Sequence, residues 1–406
     1  MSALMDKLFP APVADADGGF QALRRKAQKV LMQHGFPHRK TENWKYVPLG
    51  LLEKREFGVP EAAAGRAPAS PELPFDAGIV HLHNGRLDRE RCRLPDGVSV
   101  EPMLPGDVDL ELLRDDGPAD AFAWLNLARF DQGWTVRIQG RPDRPLALVS
   151  TVDDDFDFAV HPRLRLELEP AAELSLVEHQ VGRGAGLVNA VLDVAVADGA
   201  TLTHWLDRRC AETVWIQRTC ARLARDGAYR AFALDGGGRL TRQDLIATLE
   251  APGARAVLGG VGVLSGAELV DYHTAIEHRV GGTESEESFR MLADDRAVGV
   301  FNGRILIVPG ADDSHSEMNT GNMLLSDAAR INTKPELEIH AEDVTASHGA
   351  TVGQLDGDAR FYLRSRGLDD EQAAALLKYG FAAAVFDDAP AGPVHDWLLA
   401  RLEDLL

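Results

Sequence analysis

Of the thirteen histidines in this 406-residue chain, His348 has the surroundings that best suit chemistry. It lies in Ser347-His348-Gly349-Ala350, where small or polar neighbours leave an imidazole accessible instead of burying it among Leu and Ile. Neutral imidazole is a good borderline ligand for iron or zinc, and Ser347 or a carboxylate can fix its tautomer. A hydrogen-bonded structural histidine is the competing reading, and spacing alone leaves both open. Just upstream, Glu336, Glu338, His340, Glu342 and Val344 alternate, so a single strand over this run puts them on one face. His273 and His278 are five apart, which sends them to opposite faces of a strand and misaligns them on a helix. Asp153, Asp154, Asp155 and Asp157 lack the spaced ligands and turning Gly of an EF-hand loop, and read as a solvated acidic turn. Asp294, Asp295, Asp312 and Asp313 supply the paired carboxylates that a polysaccharide-cleaving enzyme would need.

Other chemistries are excluded. Cys92, Cys210 and Cys220 are widely spaced with no C-x-x-C, which rules out a disulfide framework and a self-contained four-cysteine zinc or iron–sulfur site. Cluster chemistry would therefore need histidine, carboxylate or partner ligands. No G-x-x-x-x-G-K-[ST] loop is present, and Gly182-Arg-Gly-Ala-Gly186 has neither the Rossmann spacing nor a helix to open. Hydrolysis of ATP by this chain alone is not expected. Lys plus Arg number 43 against 63 Asp plus Glu, a formal net charge of −20 that repels nucleic acid and anionic membrane surfaces. No apolar run approaches the ~18 residues that span a bilayer. Met1–Leu8 lacks the charged-then-apolar design of a signal peptide, so a cytoplasmic location is expected.

The elements that must position these residues change along the chain. Residues 1–135 read as a mixed, helical region, with an amphipathic stripe at Phe20, Leu23, Ala27, Val30 and Leu31 and an Ala/Gly/Pro-rich linker near 60–74. From there to residue 357 nearly every apolar run is four to eight residues long and bounded by Gly, Pro or Asp, which predicts many strands. Ala171, Gly199, Gly227 and Gly253 each open such a run, at offsets of 28, 28 and 26, and Gly266 follows after 13. That period with a half-step predicts a solenoid whose coils each contribute two strands and turn at small residues. A two-sheet sandwich would give similar turn spacing and is the alternative. The expected fold is therefore mainly β, a right-handed parallel β-helix over residues 136–357 flanked by helical regions at both ends. Residues 358–406 turn helical again, with acidic residues after Leu368 in a first turn and apolar positions running from Ala373 to Val385. Apolarity that continuous favours a docking surface for a partner over packing on the solenoid itself, although both suit an appended hairpin.

The string Ser347-His-Gly-Ala-Thr-Val-Gly-Gln-Leu-Asp356, followed by Phe361-Tyr-Leu-Arg-Ser-Arg-Gly367, resembles the signature of the SufB/SufD family of iron–sulfur cluster assembly scaffolds. Phe301-Asn-Gly303, Leu324-Leu-Ser326, Lys334-Pro-Glu-Leu-Glu-Ile339 and Glu42-Asn-Trp-Lys-Tyr46 fit as well. The resemblance is continuous over roughly 268–388, looser over 160–267 and confined to short motifs before that. A short chain without a Cys-rich insertion is similar to the SufD branch. The resemblance implies a non-catalytic scaffold in a complex with a SufB-like subunit and the ABC-type ATPase SufC, and self-pairing into a homodimer when isolated. It implies iron or a nascent iron–sulfur cluster, transient and shared with SufB, with nothing tightly bound by this chain alone. The functional histidine of the family falls on His348. SufC would dock on the C-terminal helices, around Arg366, Gly367, Leu368, Leu376, Leu377 and Phe381. Many members of the branch have Cys two residues before the histidine; here that position is Ala346, so no thiolate acts there. The competing readings are a partner-independent β-helix enzyme acting on carbohydrate, and a purely structural subunit with no iron chemistry.

Overall fold

The computed structural model describes residues 3–8, 19–58, 72–113 and 117–406; most of the linker expected near 60–74 lies outside them. Two parallel sheets face each other and wind into a β-solenoid of about eight turns. The first sheet stacks Gly78–His83, Leu146–Thr151 and Glu173–Gly182, then the opening halves of Thr201–Leu223 and Ala228–Leu249. It continues through Arg255–Leu264, Glu284–Ala293, Ser314–Leu324 and Val344–Gly353. The second sheet runs from Gly133–Ile138 through Arg163–Leu168 and Leu187–Val196 to the closing halves of the two long strands. It ends on Leu269–His278, Val298–Ile307 and Arg330–Ile339. Thr201–Leu223 serves both sheets because its register breaks between Arg208 and Val214, where the chain rounds a corner.

The period of the repeat is the period of one corner. Ala171, Gly199, Asp226, Gly253, Gly282 and Asp313 all have φ between +56° and +78° and form a ladder along one edge. Gly199 N donates to Arg225 O at 2.8 Å, Asp226 N to Pro252 O at 3.2 Å, and Gly253 N to Gly282 O at 2.8 Å. In the third coil the left-handed residue is Asp226 rather than Gly227, since Asp tolerates that region better than most side chains. Gly266 belongs to the opposite corner, where its N–H donates to Asp295 Oδ2 at 2.9 Å, which accounts for the half-step of 13. Inward-facing positions are filled with Leu, Val, Ala, Phe and Tyr, a continuous core from Val80 to Met318.

Both outer faces are covered. On the second sheet lie α1 (Ala3–Leu8), α2 (Gln21–His34), α3 (Gly50–Glu53) and α4 (Ala121–Arg129), whose apolar residues join Leu187, Val214, Ile216 and Leu240. Trp44 anchors this layer. Its ring stacks on Phe122, its Nε1 donates to Ala119 O at 2.9 Å, and the Arg242 guanidinium lies 3.9 Å from its centroid. That arrangement is the physical content of the Glu42–Tyr46 motif.

The first sheet is covered from the other terminus. After α5 (Gly357–Ser365), the end of α6 (Asp370–Ala383), the 3-10 turn Ala384–Phe386 and α7 (Pro393–Glu403) bring Ala382, Val385, Phe386, Val394, Trp397, Leu398 and Leu402 onto Trp205, Phe232, Leu234, Val261 and Leu292. The apolar stretch Ala373–Val385 is thus divided, with Ala382 and Val385 packed on the solenoid and Leu376 left exposed. Trp397 is edge-on to Phe75 at 5.6 Å and to His179 at 5.5 Å. Trp397→Ala is expected to cost about 3–5 kcal/mol by denaturant titration; unchanged stability would mean that α7 is undocked in solution.

Candidate functional site at the open end of the solenoid

No described strand stacks on the last coil. Val344–Gly353 pairs with Ser314–Leu324 on one side, and no strand lies on its other side among the described residues. Register fixes which way His348 faces. It pairs with Met318, which pairs with Glu287, which pairs with Leu258, so all four point into the solenoid. The same logic places Ala346 over Ser316, Ala350 over Thr320 and Val352 over Asn322. Inward-facing residues of the earlier coils are mostly buried, whereas His348 and Ala350 are exposed and Val352 is 49% exposed. His348 has no side-chain partner among the described residues and stands about 4.8 Å above the Met318 strand.

Below His348 the lumen is closed. Met318 is 1% exposed, and its Sδ and Cε reach to 2.8 Å from the place a Cβ on Gly303 would take. Phe301 Cζ comes to 2.7 Å of the same point, so the Phe301-Asn-Gly303 motif is a Gly that makes room for two side chains. Around this plug the core turns polar. His278 Nε2 pairs with Ser285 Oγ at 2.9 Å, which pairs with Ser316 Oγ at 2.7 Å, directly under Ala346. Asn322 Nδ2 donates to Thr351 O at 3.0 Å and ties the terminal strand down. Burial lowers the His278 pKa to about 4 and leaves its ring neutral.

Several residues singled out in the sequence are not brought to this site. The run from Glu336 to Val344 is not one strand: Arg330–Ile339 ends before His340, and the chain turns there into Val344–Gly353. Glu336 and Glu338 share an outer face and pair with Lys334 and Arg304, while His340 and Glu342 are at the corner. A corner is needed because each coil has only about ten residues per face. Asp294 and Asp295 are separated from Asp312 and Asp313 by the ten-residue strand Val298–Ile307, ~33 Å of extended chain, so they form no catalytic pair. His273 and His278 do face opposite ways, His273 outward against Asp271 Oδ1 at 2.9 Å. Burial pushes the Cys210 and Cys220 thiols up to about 12, far from thiolate chemistry at neutral pH. Among the described residues, no three His, Cys, Asp or Glu side chains are grouped closely enough to hold a metal ion. His348 can thus offer one ligand.

A second uncovered surface follows the terminal strand. Asp356 caps α5 by accepting from Asp358 N and Ala359 N, and Asp369 with Gln372 forms a capping box on α6. No residue of α5 is buried, and Phe361 and Tyr362 are 73% and 56% exposed. Of the residues expected at a docking surface, Arg366, Gly367 and Leu376 are exposed, whereas Leu368, Leu377 and Phe381 are half-buried. The Arg366 guanidinium donates to Tyr362 Oη at 3.0 Å, and Gly367 takes the left-handed turn (φ +103°) that separates the two helices. Phe361 and Tyr362 were legible as adjacent aromatics, a poor fit to any buried stripe, but were not picked out as site residues.

With one coil and one helix pair left uncovered among the described residues, the architecture is that of a β-solenoid flanked by helices. The family described as "SUF system FeS cluster assembly, SufBD core domain" matches residues 150–381. The iron–sulfur cluster assembly protein SufD of Escherichia coli is 28% identical over 388 residues, covering 92% of this chain and 90% of that protein. A SufBD family protein of Synechocystis is 27% identical over 400 residues, 90% of this chain and 87% of its own length. The chloroplastic protein ABCI7 of Arabidopsis thaliana is 28% identical over 438 residues, 100% of this chain and 89% of its own. The chain belongs to the SufBD family of the SUF iron–sulfur cluster assembly system. No described helix is long and apolar enough to cross a membrane.

Proposed function

We propose that this chain is the SufD-like scaffold subunit of a cytoplasmic complex with a SufB-like solenoid and a SufC-like ATPase. The observation that carries this reading is the last coil, where an inward-facing imidazole stands in the open with no further coil over it among the described residues. A free strand edge is a template for pairing with another chain. A SufB-like subunit that continues the solenoid across Val344–Gly353 would enclose His348 and supply the ligands this chain lacks. Iron acquisition and nascent cluster formation then take place at that junction, with iron and sulfide as cargo and His348 as this chain's contribution. Isolated copies would satisfy the same edge by pairing with each other. The working division is an N-terminal region to 135, a solenoid over 136–357 and a helical region from 358.

The ATPase docks on α5 and α6, at the face formed by Arg366, Gly367, Leu368, Leu376, Leu377 and Phe381 and extended by Phe361 and Tyr362. This chain is not itself catalytic; nucleotide hydrolysis resides in the SufC-like partner. Deleting everything after Gly367 is a poor test, because it would strip Trp205, Phe232 and Leu234 of their cover. Leu376→Asp is the cleaner change, since Leu376 is 50% exposed and its charge is tolerated when nothing is docked. Co-expression with both partners should yield a chain that melts normally and keeps the SufB-like subunit but loses the ATPase. Retention of the ATPase at full stoichiometry would place the docking site elsewhere.

A further inference from the structure

Four deeply buried arginines in this chain meet carboxylates. Arg163 meets Asp193 at 2.7 Å, Arg208 meets Asp235 at 3.1 Å, Arg242 meets Asp271 and Asp244, and Arg218 lies between Asp120 and Asp244. This follows from the cost of removing a guanidinium from water, which an opposite charge offsets. Arg290 differs from these four. It is half-buried on the outer face of Glu284–Ala293, and desolvation lowers its pKa. No carboxylate among the described residues comes within ion-pair distance of it. Its one side-chain hydrogen bond is long, from Nη1 to the exposed amide oxygen Asn319 Oδ1 at 3.3 Å.

Its surroundings hold the guanidinium in place without neutralising it. The Phe381 ring centroid is 5.5 Å away. The place a Cβ on Gly321 would take is 2.5 Å from Nη1, so the fork lies against bare backbone. Gly321 and Asn319 come from the Asn319-Thr-Gly-Asn322 motif, and Phe381 from α6. Beyond them the outer face of the last coil, Ser347, Gly349 and Thr351, is exposed and small. An arginine flanked by an aromatic face and a glycine, with most of its five donors free, fits a planar carboxylate in two-point contact.

We propose that Arg290, framed by Asn319, Gly321 and Phe381, is the receptor for a carboxylate side chain of the protein that docks on α5 and α6. The inference rests on the docking reading above and adds its charged anchor. The net charge of −20 makes the point specific: an acidic partner segment is repelled by most of this surface, and an unpaired arginine is what would admit it. Loss of a charge-assisted, two-point contact that becomes buried on docking should weaken binding by about tenfold to a hundredfold.

The test uses the full chain and the purified ATPase subunit, with affinity read by calorimetry at low and high salt. Arg290→Gln should weaken binding by about tenfold or more and flatten the salt dependence. Arg290→Lys, which keeps the charge but not the fork, should fall between the two. The melting temperature of each free variant separates lost docking from lost folding, and if the Gln variant unfolds, the Lys variant decides. Leu376→Asp run in parallel tests the docking surface itself. If Leu376→Asp abolishes binding while Arg290→Gln binds like the unaltered chain with the same salt dependence, the docking surface stands and the Arg290 anchor is overturned. Binding that survives Leu376→Asp overturns the surface and the anchor together.

Discussion

His348→Ala is expected to leave folding and complex assembly intact while sharply lowering the iron and sulfide content of the co-expressed complex. The structural half of this expectation follows from exposure. The imidazole has no side-chain partner among the described residues, and exposed substitutions away from special features change stability by within about 0.5 kcal/mol. The chemical half follows from register. His348 is over Met318, on the face that a second solenoid would enclose, so an imidazole there meets whatever forms at the junction. Ala346 in the adjacent inward position offers no thiolate to take over, and Cys210 and Cys220 are buried as thiols. Maturation of a client protein should fall with cluster content. Unaltered iron and sulfide in the variant complex would make His348 structural and leave a scaffold without iron chemistry.

How much of this was legible in the sequence varies with the range of the interactions involved. Corner positions were visible because a left-handed turn restricts residue type locally, and Ala171, Gly199 and Gly253 are where the spacing puts them. The third corner slipped by one residue because Asp226 fills the left-handed position and Gly227 only follows it. The pairing of Gly78–His83 with Leu146–Thr151 joins segments more than sixty residues apart, and no periodicity encodes that. Likewise the stripe on α7 announces a buried face but not what buries it. His348 could be ranked from its neighbours, yet its inward orientation depends on counting register across four strands. The unbroken alternation from Glu336 to Val344 misled for the same reason, because a coil of fixed length imposes a corner at His340 whatever the pattern. Arg290 left no signal, since its meaning lies in a carboxylate that is missing.

Glu287 is the strongest case of hidden context, and it carries a large expected effect on stability that depends on pH. In sequence it sits in Glu284-Ser-Glu-Glu-Ser288, a run that reads as solvated. In the solenoid it points inward between Leu258 and Met318, 2% exposed, and neither carboxyl oxygen has hydrogen-bond geometry to a described residue. Burial pushes its pKa up to about 8, and the Thr274 hydroxyl on the facing sheet only partly offsets this. The folded chain therefore holds this proton up to about pH 8, whereas the unfolded chain releases it near the ordinary value of 4.5. Because the folded state binds more protons across that window, the contribution of Glu287 to stability is full below 4.5 and is lost progressively as pH rises to about 8. Glu287→Met, which matches the apolar neighbours in its column, should be close to neutral at about pH 5 and more stable than the unaltered chain by roughly 3–5 kcal/mol at about pH 9. Denaturant titrations of both proteins at the two pH values measure the gap. A difference that does not grow with pH would show that the carboxyl is already charged in the folded state, with a partner inside the solenoid that neutralises it.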